Sequence, residues 1–478
     1  METTTSSTSK KGLFITNAGQ NVMFTFILVT SLFLLWGFCN GLIDVMDKHF
    51  QDELGLTKSQ SAWVQFAHYL GYFLMSIPAG WLATKLGYKG GIIAGLLIVG
   101  LGGLWFLPAT HISEMVKSGS VSPNQAFVAF LAGVCLIATG LTFLETIANP
   151  YTTVLGDPHY SATRINLAQS TNGIGWIVAP AVGSVFFYSK DTLGKSTGNQ
   201  TLYIPYVFIA AVVFVLAIVF YFAPVPDIKM EDDYHLDDSA APVSHSIWSH
   251  PHFVCAVAAQ FFYVAAQAGI FSFFINYLTS EVPPIPAVWS DSLNRIAANA
   301  GFLHNWLSGW FETATNGSLA LSNKGASNLA SVGFLCFLIG RFTGAGLLRK
   351  YSAHKVLGTY AALNVVATFL VFCKFGWLSA ACVFASYFLM SVMFPTIFAL
   401  GIFGLGLRAK RASSYIVMAI MGGAILPKLM GYVADKFDMS RGFIVPMFCF
   451  VLVALYGFAW PKLAKAESLR SMPVTAGH

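Results

Sequence analysis

Charged residues are scarce in this chain, and their scarcity excludes an ordinary soluble domain. Only 10% of its 478 residues are charged and 56% are hydrophobic, whereas soluble domains have about 25% charged residues. The net charge of +6 comes from basic residues scattered over short loops rather than gathered on one face, so we expect no nucleic-acid partner. This composition is typical of a polytopic membrane protein.

Motifs of common enzymes and ATP-driven pumps are also missing. The sequence has no complete phosphate-binding loop, no His-Glu-x-x-His helix and no Gly-x-Ser-x-Gly turn. Its seven cysteines fall in apolar runs without metal-ligand spacing, and we interpret them as small buried hydrophobic residues. The polar start, residues 1–11, lacks an apolar core with a cleavage site, so we expect no removable signal peptide. We predict neither an enzyme nor a protein with a bound metal or cofactor.

Long apolar runs, by contrast, are abundant. A helix that crosses a bilayer needs roughly 20 mostly apolar residues. Runs of this kind lie at 22–46, 60–84, 90–109, 126–155, 164–188, 203–223, 253–278, 326–348, 355–374, 377–405, 412–434 and 442–461. The sequence thus predicts an all-α polytopic membrane protein, with twelve transmembrane helices in two pseudo-symmetric six-helix bundles.

The predicted parts of the chain follow from these runs. They are an N-terminal tail (1–21), a first bundle (22–223), an acidic linker (224–252), a second bundle (253–461) with a long outer loop (280–325), and a C-terminal tail (462–478). Basic residues outside the runs number fifteen on the side of the N-terminus and ten on the other, which predicts that both tails are cytoplasmic. We expect the plasma membrane as the protein's location. Glycosylation sequons at Asn199 and Asn316 fall in loops that this topology places outside.

The two halves of the sequence resemble one another. Gly175 with Pro180 lines up with Gly422 with Pro427. Repeated halves of this kind place a ligand site at their interface, near the middle of the bilayer. The outer loop at 280–325 is far longer than a usual connection between spans, and its pattern predicts one or two amphipathic helices. These helices could cover part of the outer entrance, or the loop could be an insertion without a function.

Two carboxylates lie inside the apolar runs. Asp44 is near the end of the first run, and Glu145 is deep in the fourth. An ionisable group at such a depth costs several kcal/mol, so it indicates a functional site. The alternative is a permanent ion pair, but only Arg341 and Lys428 supply cations within the runs. Arg341 could pair with Asp44 or could extend to the lipid headgroups.

Amide and aromatic side chains of the same runs could bind a ligand rich in hydroxyl groups, or could simply join helices. The candidate amides are Asn40, Asn149, Gln169, Asn172 and Gln267, and the candidate stacking surfaces are Trp36, Phe38, Tyr151, Phe271 and Phe394. Gln169 and Asn172 are three residues apart and therefore share one helix face. Most aromatic residues must face lipid or pack against other helices.

The segment from Gly80 to Lys89 is similar to the loop signature of the major facilitator superfamily. In that signature a glycine allows close helix contact and charged residues hold the inner gate. Thr84 stands where the signature usually has an acid. Lys89, its counterpart Lys355 in the second half, and Arg341 are the candidate ion-pair or gating residues.

More of the sequence resembles the L-fucose permease family of that superfamily, the fucose–galactose–proton symporters. The matching segments include Asn-Gly-Leu-Ile-Asp (40–44), Leu-Glu-Thr-Ile-Ala-Asn-Pro (144–150) and Gly-Arg-Phe-Thr-Gly (340–344). The resemblance implies alternating access between two bundles, with Asp44 and Glu145 as the coupling acids and Asn172 as a sugar contact. At Met393-Phe394 the sequence departs from the polar residue and tyrosine of bacterial relatives, which leaves the identity of the sugar open.

We therefore predict a monosaccharide–proton symporter that works as a monomer in the lipid bilayer. The co-transported ion is H⁺ in this prediction, with Na⁺ as the alternative because related animal proteins are sodium-coupled. A sugar uniporter or a non-transporting sugar receptor would also be compatible with the sequence.

Overall fold

The computed structural model describes residues 14–15, 20–116, 118–156, 161–188, 198–225, 247–299, 301, 304–314, 317–348, 350–403 and 409–464. Most of the predicted linker and both predicted tails lie outside these ranges. The helices of the first half are α1 (Met23–Leu54), α2 (Lys58–Ser61), α3 (Trp63–Glu114), α4 (Pro123–Val154), α5 (Ser161–Phe186), α6 (Gly198–Thr201) and α7 (Tyr203–Phe222).

The second half begins with a 3₁₀ turn, Ile247–Ser249, and has more but shorter elements. They are α8 (Pro251–Ser272), α9 (Phe274–Ser280), α10 (Ala287–Ala298), α11 (His304–Leu307), β1 (Phe311–Thr313), β2 (Leu319–Leu321), α12 (Asn323–Leu348), α13 (Ala353–Phe372), α14 (Trp377–Met390), α15 (Met393–Ile402), α16 (Ala409–Met418), α17 (Gly422–Lys436), α18 (Met439–Gly442) and α19 (Ile444–Ala464). A second 3₁₀ turn, Ala419–Met421, joins α16 to α17.

Each of the twelve predicted spans falls on helix, which confirms the all-α prediction. Within the described residues, ten helical segments are long and apolar enough to cross a membrane. The other two predicted spans, 60–84 and 164–188, coincide with the start of α3 and with α5, and their apolar runs are interrupted by polar side chains. The polar residues in these two helices include the ones that form the candidate site.

The second and third predicted spans are two helices that meet at a kink. Both belong to α3, which is broken only at Gly87, where φ is 67° and ψ is 178°. A residue with a side chain rarely adopts this left-handed backbone conformation, so glycine suits the position. The predicted connection between residues 84 and 90 is therefore this kink, which is shorter than an ordinary loop.

Close helix contacts support the predicted repeat. In the first half Gly175 of α5 lies against the Leu34 carbonyl of α1, and a Cβ there would overlap that oxygen. In the second half Gly422 has the same relationship to the Phe261 carbonyl of α8. The two glycines that the sequence aligned thus make equivalent contacts, and in each half one helix pair approaches closely because a side chain is missing.

The long loop contains structure of its own. The predicted amphipathic helix is α10, whose apolar Val288, Trp289 and Ile296 are exposed. The ring of Trp289 lies 5.3 Å from that of Trp377, at the start of α14. A short antiparallel hairpin follows, in which Phe311 pairs with Leu321. The sequence analysis did not predict this hairpin.

The two bundles meet where α1 ends, and we call this end of the molecule the Leu54 end. Gln51 and Asn276 exchange side-chain hydrogen bonds there, one of them 3.4 Å long. The Asp435 carboxylate accepts hydrogen bonds of 2.9 and 2.7 Å from the backbone N–H groups of Lys58 and Ser59. The Leu54 end is therefore closed in this conformation.

Candidate substrate and proton site

Asp44 is held by a neutral donor from α3. The Gln65 side chain donates a hydrogen bond of 3.0 Å to Asp44 Oδ1. Asp44 is 6% exposed, and its other oxygen, Oδ2, has no hydrogen-bond partner within the described residues. The carboxyl is thus buried beside an amide and, among the described residues, not beside a cation.

Glu145, on α4, has a similar arrangement, and its neutral neighbour Tyr72 lies two helical turns beyond Gln65 on α3. The Tyr72 hydroxyl lies within hydrogen-bonding reach of the Glu145 carboxylate and of Asn40. The indole N–H of Trp36 donates to the same hydroxyl. Glu145 itself is half-buried. Each predicted coupling acid therefore has a neutral hydrogen-bonding neighbour.

These neighbours belong to a polar stripe on α3 that the sequence analysis missed. Gln65, His68, Tyr69 and Tyr72 recur at the spacing of one helix face within an otherwise apolar run. This periodicity could have identified the four residues from the sequence alone. Tyr69 lies close enough to Asp44, Glu145 and Tyr263 for electrostatic interaction, so it stands between the two acids and the second bundle.

The facing wall, from the second bundle, contains aromatic rings and the guanidinium of Arg341. The Arg341 guanidinium lies over the Phe337 ring, with Cζ 4.9 Å from the ring centroid, and it is near enough to Tyr263 to interact electrostatically. The Tyr263 hydroxyl donates to the Met390 carbonyl at 2.9 Å, and its ring meets that of Phe394 edge-on at 6.4 Å.

Neither acid is paired with a cation in the part of the chain that the structure describes. Arg341 forms no ion pair with Asp44, and the Lys428 ammonium lies 3.7 Å from the Trp63 ring centroid. Lys89 donates to the Ala223 carbonyl at 2.9 Å, and Lys355 is exposed. Static pairing of the acids is thus absent from this conformation of the described residues, and a gating role for the cations stays a prediction.

The predicted sugar contacts are in different environments. Asn172 is 2% exposed and donates to the Phe33 carbonyl at 3.2 Å, so in this conformation it joins α5 to α1. Asn40 is buried beside Tyr72, with its Oδ1 free of partners among the described residues. Gln169 and Gln267 are half-buried. Sugar contact by these residues stays a prediction.

Other predicted sites lie partly outside the described residues. These are the side chains of Asn149 and Asn199 and the whole of Asn316, although the Asn199 backbone belongs to α6. The seven cysteines are free thiols, buried or half-buried. Across the described ranges no group of three or more His, Cys, Asp or Glu residues could hold a metal ion.

A further buried acid escaped the sequence analysis. Asp47 lies one turn after Asp44 on α1 and has an exposed fraction of 0%. The predicted first span stopped at residue 46, which left Asp47 among the loop residues. The structure extends this helix to Leu54 and places the second bundle over it.

Comparison with known proteins agrees with this architecture. The sequence model of the Major Facilitator Superfamily matches residues 22–289, which are more than half of the chain. The L-fucose-proton symporter of Escherichia coli is 33% identical over 462 residues, which cover 92% of this chain and 94% of that protein. The glucose/galactose transporter of Brucella abortus is 30% identical over 448 residues, which cover 94% of this chain and 96% of that protein.

Solved structures give the same result. The crystal structure of the major facilitator transporter FucP in its outward conformation has a TM-score of 0.61 and 31% identity, and covers 93% of this chain and 99% of its own. The crystal structure of the D-xylose-proton symporter has a TM-score of 0.67 and 12% identity, and the match covers 94% of this chain and 100% of that chain. At this identity the match supports the fold alone. The chain is a multi-pass membrane protein that belongs to the major facilitator superfamily and, within it, to the L-fucose permease family.

Proposed function

We propose that this protein is a secondary active transporter that imports a monosaccharide, L-fucose-like or another hexose, together with a proton. The named relatives transport sugars of this kind, and one of them is a proton symporter. As a transporter the protein is expected to have no enzymatic activity. Its coupling ion is H⁺ in this proposal, and a sodium gradient tests Na⁺ as the alternative.

One observation supports the proposal most directly. Asp44 and Glu145 lie in the same bundle, each beside a neutral donor of α3, Gln65 and Tyr72. A carboxyl that is permanently paired with Arg or Lys keeps its charge, whereas one beside an amide or a phenol can exchange a proton. This chemistry suits a proton-coupled cycle better than a plain sugar uniporter.

The proposed cycle starts with the Leu54 end open. Glu145 takes up a proton as the sugar binds among Asn149, Gln169 and Asn172, which removes a charge before the cavity closes. The loaded bundles then reorient, and the proton and sugar leave from the opposite end. Asp44 passes the proton on or adjusts the affinity of Glu145 for it.

The second bundle supplies the remaining sugar contacts in this scheme. Phe394, beside Tyr263, offers an aromatic face to the sugar ring, and Gln267 and Asn40 offer amide groups to its hydroxyls. Arg341, Lys89 and Lys355 are proposed to hold the gates. The cytoplasmic tails, the plasma membrane and the functional monomer also belong to this proposal.

Uptake of radiolabelled monosaccharides into proteoliposomes tests the function. We expect wild-type protein to accumulate one or more hexoses against a gradient when a pH gradient is imposed, and a sodium gradient alone to have no effect. Glu145→Gln should keep sugar exchange but lose accumulation, because its side chain cannot carry the proton. Asp44→Asn should abolish the alkalinisation of the medium that accompanies sugar entry.

Glu114→Gln is the matched control, because Glu114 is an exposed acid at the end of α3, and it should behave as wild type. Accumulation by Glu145→Gln at the wild-type level would exclude Glu145 from coupling. Uptake that ignores the pH gradient would instead point to a uniporter, and uptake driven by sodium would replace the proton.

A further inference from the structure

Asp47 lies one turn beyond Asp44 on the same face of α1, and it is completely buried. Neither of its carboxylate oxygens completes a hydrogen bond within the described residues. The hydroxyl of Ser272, from α8 of the second bundle, faces Asp47 but is outside regular hydrogen-bonding geometry. Among the described residues, this acid at the contact between the two bundles thus has neither a donor nor a cation.

None of the described groups around Asp47 neutralises it. On α1, Asp44 interacts electrostatically with Asp47 and is an acid as well. The Lys48 ammonium is 2.7 Å from Asp52 and is engaged there. Tyr188, just after α5, lies near Asp47, but its hydroxyl donates at 2.7 Å to a backbone carbonyl of α1. The facing α8 contributes a neutral hydroxyl.

An ionised carboxylate without water or a counter-ion costs several kcal/mol, more than one hydrogen bond returns. Asp47 is therefore expected to be protonated in this conformation. Its cover depends on closure of the Leu54 end, because Ser272 belongs to the second bundle and Gln51, one turn further on, binds Asn276. Separation of the bundles there would expose Asp47 to water, where an aspartic acid ionises near pH 4.

We propose that Asp47 takes up a proton each time the Leu54 end closes and returns it to the same side when that end reopens. This inference rests on the proposed function, because closing and reopening are steps of alternating access. The proton is not transported, since Asp47 stays covered for as long as the Leu54 end is closed. Asp47 thus differs in role from Glu145.

This exchange makes closure depend on pH even without sugar. The closed state binds one proton more than the open state, so higher pH favours the open state. Between the pH at which exposed Asp47 ionises and the pH at which buried Asp47 would do so, the ratio of closed to open molecules falls about tenfold per pH unit.

Spin labels on the two bundles can measure this ratio. Asn124, at the start of α4, and Lys436, at the end of α17, are exposed and lie at the Leu54 end. Distances between labels at these positions would be recorded for the full chain in lipid nanodiscs, without sugar, from acidic to alkaline pH. In the Asp47→Asn variant we expect the end to stay closed at alkaline pH, with a slope smaller by about one proton.

Two variants serve as controls. Ser272→Ala removes the facing hydroxyl but keeps the acid, and Asp291→Asn removes an exposed acid of α10. Both should retain the wild-type slope. If Asp47→Asn does not fold, as judged by thermal unfolding, Asp47→Ser replaces it in the same measurement.

The outcomes separate this inference from the proposed function. A wild-type slope in the Asp47 variant would overturn the inference and leave symport untouched, as would closure that follows sodium in place of pH. In proteoliposomes the Asp47 variant should still accumulate sugar, whereas Glu145→Gln should not. Loss of accumulation would show that Asp47 carries the transported proton. It would overturn the proposal that the proton of Asp47 returns to the side from which it came.

Discussion

The ring of Tyr69, in the first bundle, lies over Gly423, in the second. A Cβ at Gly423 would stand only 2.6 Å from Cζ of that ring, far closer than van der Waals contact allows. The missing side chain of Gly423 thus lets Tyr69 reach across the interface while the Leu54 end is closed. The position of the Tyr69 ring, which lies between the two acids and the second bundle, therefore depends on the position of the second bundle.

Gly423→Ala should therefore disfavour closure of the Leu54 end. Overpacking of this kind costs about 1–3 kcal/mol, which shifts the ratio of closed to open molecules roughly five- to 150-fold. Spin-label distances across the Leu54 end would report the shift, and sugar uptake should fall with it. Gly346→Ala is the matched control, because no atom lies within 4 Å of a Cβ built at Gly346.

A second change can confirm the cause. Tyr69→Leu removes the ring that a methyl group at Gly423 would strike, so the double variant should recover part of the closed population. A Gly423→Ala protein with wild-type distances would show that the interface relaxes without cost.

Asn172→Ala separates a structural role from sugar binding. The buried amide donates to the Phe33 carbonyl, and its loss should lower stability by about 1 kcal/mol. Thermal unfolding without sugar measures this effect, and sugar uptake measures the KM. Asn124→Ala, at an exposed position, should change neither quantity. A raised KM at unchanged thermal stability would assign Asn172 to the sugar and not to the contact between helices.

Lys374 forms ion pairs with two acids and has a strained backbone conformation. Its ammonium is 3.1 Å from Glu281 and 3.1 Å from Asp438, and its φ is 59°, a left-handed value that costs a residue with a side chain about 1–2 kcal/mol. Partial burial lowers the pKa of Lys374, but the hydrogen bonds and charges of Asp438 and Glu281 outweigh that effect and raise it above 10.5.

Two substitutions distinguish the bridge from the strain. Lys374→Met loses the ion pairs and keeps the strain, so stability should fall, though by no more than about 1 kcal/mol because the side chain is 44% exposed. Lys374→Gly loses the ion pairs but relieves the strain, so it should be more stable than Lys374→Met by about 1 kcal/mol. Thermal unfolding in detergent compares the three proteins.

The pH dependence has a definite sign on the alkaline side. Because the pKa of Lys374 is raised, its contribution is complete below 10.5 and is lost as the pH rises through the raised value. The difference between wild type and Lys374→Met should therefore vanish in strongly alkaline buffer. Equal stability of the Met and Gly variants would argue against backbone strain at this position.

Much of the fold could be predicted from the sequence because membrane spans depend on a local property. A run of about 20 apolar residues must form a helix in a bilayer, where every backbone group needs an internal partner. The aligned Gly175 and Gly422 similarly marked two close helix contacts. Both acids of the candidate site were found for the same reason, since a carboxyl within such a run is unusual wherever its partners lie.

The partners themselves depend on tertiary packing. Gln65 and Tyr72 come from a different helix, so nothing in the sequence near Asp44 or Glu145 indicates them. Asp47 was missed because the apolar run ends before it, and only the second bundle buries it. The hairpin of β1 and β2 has strands of three residues, too short to leave a periodic pattern.

The break at Gly87 has a consequence for how the first bundle moves. The second and third spans meet there at a single non-helical residue, and two residues later Lys89 donates a hydrogen bond to the Ala223 carbonyl at the end of α7. Because the connection is short and this hydrogen bond joins the third span to the sixth, a displacement of the helix that contains Gln65 and Tyr72 should also move these two spans. The coupling acids and their donors should travel as one rigid body, and the hydrogen bonds around the acids should persist while the cavity changes sides.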